Sequence, residues 1–398
     1  MKPRVLIVTT YYHPILGGVE THARQIAAHL HASGFDVEIL TKRIAAGDPV
    51  ESRVDDVLVH HVGPAGDRRA SGKWRATPAF FRALLTRRSR YDTILCLDYR
   101  GIGIAAVAAG RWLERSVILQ AETAGVLAGS LDDSASGIAP ESLLERIVKM
   151  PARAIYRRAD RIVCIGRDLE RESIRGGMPR DRVHYLPPGV DLTRFRPPAT
   201  GERERLRAQL GWPLDKTMVL FVGRLSIEKG AMDLLHAWRS IDRRDAVLAM
   251  VGPDMPNHPW DVGARGRAYV AEHGLAGRVR FEGSTTDTAP FYRAADVFVQ
   301  PSHFEAFGSS ALEAMASGLP VVSSGVGGLA DFVAAGENAV LHDPRSSDSI
   351  ARALTEMLGD EALRRRLAQG ALATAQRFEL KGLLDRYIRL IESAAGTP

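Results

Sequence analysis

His303-Phe304-Glu305-Ala306-Phe307-Gly308-Ser309-Ser310-Ala311-Leu312-Glu313-Ala314-Met315-Ala316-Ser317-Gly318-Leu319-Pro320 is the stretch on which the reading of this chain turns. The apolar run Val297-Phe298-Val299 before it reads as a buried strand, ended by Gln300-Pro301-Ser302. A short helix is predicted over 311–317, capped by Ser309 or Ser310 and stopped by Gly318-Leu319-Pro320. Val321-Val322 then opens another strand. Glu305 is therefore expected in the loop at the carboxyl end of a strand, and Glu313 about one turn into the helix. Between them the amides of Phe307, Gly308 and Ser309 are expected to point out of a helix N-terminus, which favours an anion. Gly308 has no side chain to block a ligand pressed against the backbone. Two carboxylates and an anion-binding helix start suit a ligand with both hydroxyls and phosphates, such as a nucleotide sugar. The spacing of the two glutamates alone fits better a surface loop followed by an ordinary core helix. Phe307-Gly308 between them and Gly318-Leu319-Pro320-Val321-Val322 behind them reverse that preference.

This stretch resembles the donor-site signature of retaining glycosyltransferases of family 4, which have the GT-B fold. The resemblance implies an α/β chain with two Rossmann-like doubly wound domains facing across a cleft. It also implies that Glu305 faces the donor sugar and Glu313 the ribose of the nucleotide.

The second signal is Gly223-Arg224-Leu225 with Glu228-Lys229-Gly230, in the loop after the predicted strand Met218 to Gly223. Two cations five residues apart at a strand's carboxyl end can hold a diphosphate and stabilise charge on a leaving nucleoside diphosphate. Arg grips phosphate bidentately, and Lys acts as a point charge. The resemblance carries Arg224 and Lys229 over as diphosphate ligands. The chain has no Asp-x-Asp triplet, the usual metal holder of the other major glycosyltransferase fold. Arg224, Lys229 and the helix N-terminus can do the same electrostatic work, so neither a metal nor any other cofactor is expected.

At the N-terminus, Arg4 to Thr9 reads as a strand, and Gly17-Gly18 lies in the loop before a helix ending near Gly34. The pair lacks the G-x-G-x-x-G spacing of dinucleotide folds. In the resembling family a Gly-Gly loop here brings backbone amides to the donor diphosphate. Strands and helices then alternate up to the Pro/Gly-rich stretch 187–201, the expected domain boundary. This gives an acceptor-side domain over 1–195 and a donor domain over 202–375. A last helix over 376–398 crosses back to the first domain, as the resemblance implies. Many family members have a His after the strand matching Val117 to Leu119. Here that position holds Glu122, counted among the catalytic candidates because a carboxylate there can bond an acceptor or sugar hydroxyl. It would sit awkwardly beside a diphosphate unless another cation compensated, and a loop glutamate with no catalytic duty explains it equally well. Asp331 and Ala339 also depart from the family's usual Glu and Gly.

The 398 residues are 45% hydrophobic and 25% charged, an ordinary globular composition long enough for two or three domains. Cys96 and Cys164 sit in apolar runs and read as reduced core residues, which suits a cytoplasmic protein. The net charge is +6, yet no zinc spacing or helix-turn-helix pattern supports nucleic-acid binding. Arg68, Arg69, Lys73, Arg75, Arg82, Arg87, Arg88 and Arg90 form a run with no acid, among Trp74, Phe80, Phe81, Leu84 and Leu85. A second cluster is Arg146, Lys149, Arg153, Arg157, Arg158 and Arg161. Together they suit an anionic membrane surface, at the inner face of the membrane, and a lipid-linked acceptor. Solvated arginines on an ordinary helix, with a small-molecule acceptor, explain them equally well. The expected activity is transfer of a hexose-type sugar from a nucleoside diphosphate sugar to an acceptor with retention. A nucleotide-sugar epimerase of the same fold and an inactive sugar-nucleotide binder are the alternatives.

Overall fold

Short apolar runs punctuated by glycine and proline build two separate sheets, one wholly parallel and one parallel but for a single edge strand. The computed structural model describes residues 2–15, 17–63, 65, 70–123, 125–127, 143–256 and 258–395, with the backbone alone for 70–74 and 143–148. The chain divides into a first unit, Met1–Pro188 with Lys381–Pro398, and a second unit, Gly189–Leu380.

The first unit's strands are β1 (Val5–Thr9), β2 (Val37–Lys42), β3 (Glu51–Val54), β4 (Val57–Val62), β5 (Thr93–Leu97), β6 (Ser116–Ala121), β7 (Arg161–Cys164) and β8 (Val183–Tyr185). They lie in the order β3-β4-β2-β1-β5-β6-β7-β8. All pairs are parallel except β3 with β4. Both faces of β1 and β5 are buried, which explains their unbroken apolar sequences. Strand order reverses between β1 and β5, and in such sheets ligands bind outside the carboxyl ends of the strands at that reversal.

β3 was not legible in the sequence. Glu51-Ser52-Arg53-Val54 is largely exposed, so it shows no apolar run. Asp55 and Asp56, at φ 51° and 65°, turn it into β4, and two left-handed residues between strands are the mark of a tight hairpin.

The second unit's strands are β9 (Thr217–Val222), β10 (Ala246–Val251), β11 (Val279–Gly283), β12 (Val297–Gln300), β13 (Val321–Ser323) and β14 (Ala339–Leu341). Their order is β11-β10-β9-β12-β13-β14, and every pair is parallel. The reversal falls between β9 and β12. The loops after these two neighbouring strands are those carrying Arg224 to Gly230 and Ser302 to Gly308. Trp238, Leu234, Met250, Val299 and Ile350 are among the core residues of this unit.

The boundary between the units falls inside the expected stretch 187–201, most of which packs with the second unit. Val190 bridges to Glu379, its amide donating to Phe378 O at 2.9 Å while it receives Leu380 N–H at 3.0 Å. Phe195 is buried edge-on to Tyr292, and Arg196 pairs with Glu202. Residues from Gly189 onward thus pack with the second unit, and the boundary lies at Pro188. The final helix, Leu380–Ala395, belongs from Lys381 on with the first unit, burying Leu383, Leu384, Tyr387, Leu390 and Ile391.

Candidate active site

The loop after β9 leads into the helix Ala231–Ser240, and the loop after β12 into the helix Ser309–Ala316. Because β9 and β12 are hydrogen-bonded neighbours, their loops meet. Lys229 Nζ donates to Glu305 Oε1 at 2.6 Å. The same oxygen accepts from Gln300 Nε2 at 2.6 Å and from Ser302 Oγ at 2.9 Å. Glu305 is only 7% exposed, and three donors meet its carboxylate on one oxygen. Oε2 has no partner among the described residues. Arg224 is half-exposed and pairs with Glu228 four residues on, a partner that sequence reading did not assign. His303, in the loop after β12, pairs with Asp233 in the first turn of the helix Ala231–Ser240.

Neither Ser309 nor Ser310 caps the following helix. Its N-cap is Gly308, at φ 99°, with no side-chain cap bond. Ser309 is the first helical residue, and Ser310 Oγ donates instead to Gln300 Oε1 at 3.3 Å. Glycine at 308 also has a packing reason beside the expected one. A Cβ there would stand 2.3 Å from Leu329 Cδ2, so the residue is small because Leu329 packs on it, in addition to its left-handed backbone. Gly327, at φ 59°, is constrained in the same way: its Cβ would lie 2.1 Å from Glu305 O. Gly328 N–H bonds that same oxygen at 2.9 Å, which fixes the loop carrying Glu305. The first amides of any helix lack intrahelical partners, and here no side chain replaces them. Phe307 contributes only backbone, since its ring is buried against Phe332 and Phe378. Glu313 Oε2 accepts from Tyr292 OH at 2.9 Å. Burial raises its carboxyl to about 7, while the Tyr292 hydrogen bond and Arg194 pull the other way.

In the first unit, Gly17 is the extended N-cap of the helix Gly18–Ala32, and the Glu20 carboxylate folds back over it. A Cβ on Gly17 would lie 2.2 Å from Glu20 Oε2, whereas Gly18 faces open space. Glu122 follows β6 directly and is 8% exposed. Burial raises its carboxyl to about 8. The amide of Gln120 opposes this, and the negative charges of Asp98 and Glu20 add to it.

The two basic clusters are only partly surface features. Phe80 and Leu84 are fully buried, and Phe81 and Leu85 are half-buried, so the helix Ala70–Thr86 turns this stripe to the core. Arg153 is also buried, donating to Val126 O at 3.0 Å. Arg68 and Arg69, and the side chains of Lys73, Trp74 and Arg146, lie outside the described residues. Cys96 and Cys164 are free and buried. Among the described residues, no helix is long and apolar enough to cross a membrane.

Residues 202–373 match the family described as Glycosyl transferases group 1, and residues 17–189 the Glycosyl transferase 4-like domain. A D-inositol 3-phosphate glycosyltransferase of Thermomonospora curvata is 33% identical over 402 residues, covering 96% of this chain and 91% of that protein. The chain belongs to the group 1 glycosyltransferases. D-inositol 3-phosphate glycosyltransferase 1 of Catenulispora acidiphila is 31% identical to this glycosyltransferase, over 95% of this chain and 91% of its own. Among solved structures, sucrose-phosphate synthase of Thermosynechococcus elongatus matches with a TM-score of 0.81 and 25% identity over 98% of both chains. HepE of Anabaena, solved with UDP and glucose, matches with a TM-score of 0.79 over 98% of this chain and 100% of its own; at 19% identity this speaks for the GT-B fold alone.

Proposed function

We propose that this glycosyltransferase moves a hexose-type sugar from a nucleoside diphosphate sugar to a hydroxyl acceptor, with retention of configuration and without a divalent metal. The observation that carries the reading is the convergence of Lys229, Gln300 and Ser302 on Glu305 Oε1, next to the uncapped helix start at Gly308 and Ser309. One carboxylate oxygen is anchored, and the other is left to accept from sugar hydroxyls. The diphosphate lies on the amides of Gly308 and Ser309 and on Arg224 and Lys229. Glu313, fixed by Tyr292, accepts from ribose hydroxyls.

The bond from the anomeric carbon to the diphosphate oxygen breaks while the acceptor oxygen attacks from the same face. The departing phosphate oxygen takes the acceptor proton. Fixed cations and amides stabilise the charge that develops there, the kind of preorganised electrostatics that dominates catalysis. This work needs no metal ion. Glu122, with its carboxyl raised to about 8, is mostly neutral at pH 7. A neutral carboxylic acid donates a hydrogen bond to a hydroxyl and does not repel a diphosphate. That removes the conflict expected for a glutamate in this place.

UDP-sugars are the first donors to test, since a structural neighbour was solved with UDP and glucose. D-inositol 3-phosphate is the first acceptor, from the names of the relatives. An acceptor at an anionic membrane surface is a second reading. Because Phe80 and Leu84 are core residues and Phe81 is half-buried beside them, it rests on Arg75, Arg82 and the exposed Trp112. The test is incubation of the purified chain with donor and acceptor in EDTA, with the product's anomeric configuration read by NMR. A retained glycoside supports the proposal. Donor consumption without acceptor indicates an epimerase, and donor binding without any transfer indicates an inactive binder.

A further inference from the structure

Glu122 is held by a line of buried side chains that no substrate needs to touch. Gln120 on β6 is fully buried, and both ends of its amide are engaged. Its Oε1 accepts from the Tyr387 hydroxyl at 2.8 Å, across 267 residues of sequence. Its Nε2 donates to Glu122 Oε1 and stands 3.2 Å from His22 Nδ1. A glutamine oxygen can only accept, so the Tyr387 hydroxyl is the donor. That leaves two amide hydrogens for two acceptors, Glu122 and a neutral His22. Burial keeps His22 neutral, lowering it to about 4. His22 also meets the Tyr387 ring edge-on, with centroids 5.7 Å apart. Tyr387 is 1% exposed, and His22 is 3% exposed.

The hydrogen-bonding capacity of this line is thus filled when Tyr387 donates. Taking its hydroxyl away leaves Gln120 Oε1 buried and unsatisfied, and frees one end of the amide that holds Glu122. The charged and titratable groups facing Glu122 are Glu20 of the helix Gly18–Ala32, Asp98 after β5, and Tyr387 of the helix Leu380–Ala395. Cys164 of β7 and Arg386 act on Tyr387.

We infer that Tyr387 is a positioning residue for the acceptor half of the reaction: its hydroxyl orients the Gln120 amide, which in turn sets Glu122, so that the chain's last helix becomes part of the active-site machinery. This rests on the reading that Glu122 meets a substrate hydroxyl.

The experiment is Tyr387→Phe in the full chain, which keeps the ring and its packing on His22. Steady-state constants for acceptor and donor are measured against pH, and the Glu122 carboxyl is titrated by carbon-13 NMR, assigned with Glu122→Gln. Loss of one oriented hydrogen bond predicts a fall of about tenfold in kcat/KM for the acceptor, with donor KM unchanged. The Glu122 midpoint moves upward, because the ionised form loses part of its hold on an amide donor. Gln120→Met, which removes the amide and keeps the bulk, moves the midpoint the same way. A folded Tyr387→Phe variant with the parent midpoint and parent kinetics overturns the inference. So does a midpoint that moves in Gln120→Met and not in Tyr387→Phe. Should Glu122→Gln itself keep full activity, the role proposed for Glu122 fails, while the NMR midpoints still decide whether Tyr387 acts on it.

Discussion

Lys229 Nζ and Glu305 Oε1 stand 2.6 Å apart, an ion pair drawn from the loops of the adjacent strands β9 and β12. Glu305 is buried, so the pair is shielded from water more than a surface salt bridge. Lys229→Ala leaves the carboxylate with two neutral donors. Turnover is expected to fall by about 10²–10³, the scale of losing one preorganised electrostatic contact, and the melting temperature falls with it. Glu305→Gln is expected to weaken the sugar-bearing donor and leave the bare nucleoside diphosphate nearly unaffected. Calorimetry with both ligands checks this, and equal losses for the two would contradict it.

Arg224 presents the opposite case: on the proposed reading its partner Glu228 competes with the diphosphate for it. The pair is half-exposed and weak, of order 1 kcal/mol or less. Glu228→Gln should therefore lower the donor KM by roughly two- to fivefold. Arg224→Ala should cost about 10²–10³ in turnover. A donor KM that rises in Glu228→Gln would show that Glu228 supports Arg224 and does not compete for it.

Glycine at 308 answers to Leu329 and to a left-handed backbone at once. Gly308→Ala is predicted to destabilise the chain by about 1–3 kcal/mol through strain and overpacking. Trimming Leu329 to Ala in the same chain relieves the clash and not the strain, so recovery should be partial. Urea unfolding of the single and double variants measures it, and full recovery would assign the whole cost to packing.

Much of this was legible in the sequence, for identifiable reasons. Parallel strands buried on both faces are written as apolar runs, and Glu305, Lys229 and Glu313 sit in short motifs beside them. The exposed strand β3 has no such run. Gln300, Ser302 and Tyr292 anchor the two glutamates but are ordinary residues in their own sequence, and only the folded loop and the packing of the helices Ala289–Ala294 and Ser309–Ala316 give them a role. Tyr387 lies in the apolar stripe of its helix, and nothing in that stripe marks its hydroxyl as a donor to Gln120. Phe80 and Leu84 misled because the period that buries one face of a helix also sets aromatics beside arginines.

Glu122 and Glu313 give stability a pH dependence of defined sign. Their folded carboxyls titrate near 8 and near 7, above the ordinary 4.5. Above pH 4.5 the unfolded chain has released these protons and the folded chain still holds them, so stability falls as pH rises towards 8. His22, lowered to about 4, acts oppositely between about 4 and 6.5, so the clean window is pH 6.5–8. There the parent should lose at most about 1.4 kcal/mol per pH unit for each group. Glu122→Gln should flatten the curve over this window, as measured by melting temperature at constant ionic strength. An unchanged slope in that variant would mean Glu122 is ionised at neutral pH.

The most direct test of the central claim is the melting temperature of the parent chain and of Lys229→Ala in EDTA, with a panel of nucleoside diphosphates and their sugars. Ligand at 100 times its dissociation constant should stabilise the parent by about 2.7 kcal/mol. The account predicts that one nucleoside diphosphate and its sugar raise the parent's melting temperature without metal, and that Lys229→Ala loses most of the shift. A parent unmoved by every member of the panel, or a shift that Lys229→Ala keeps in full, would contradict it.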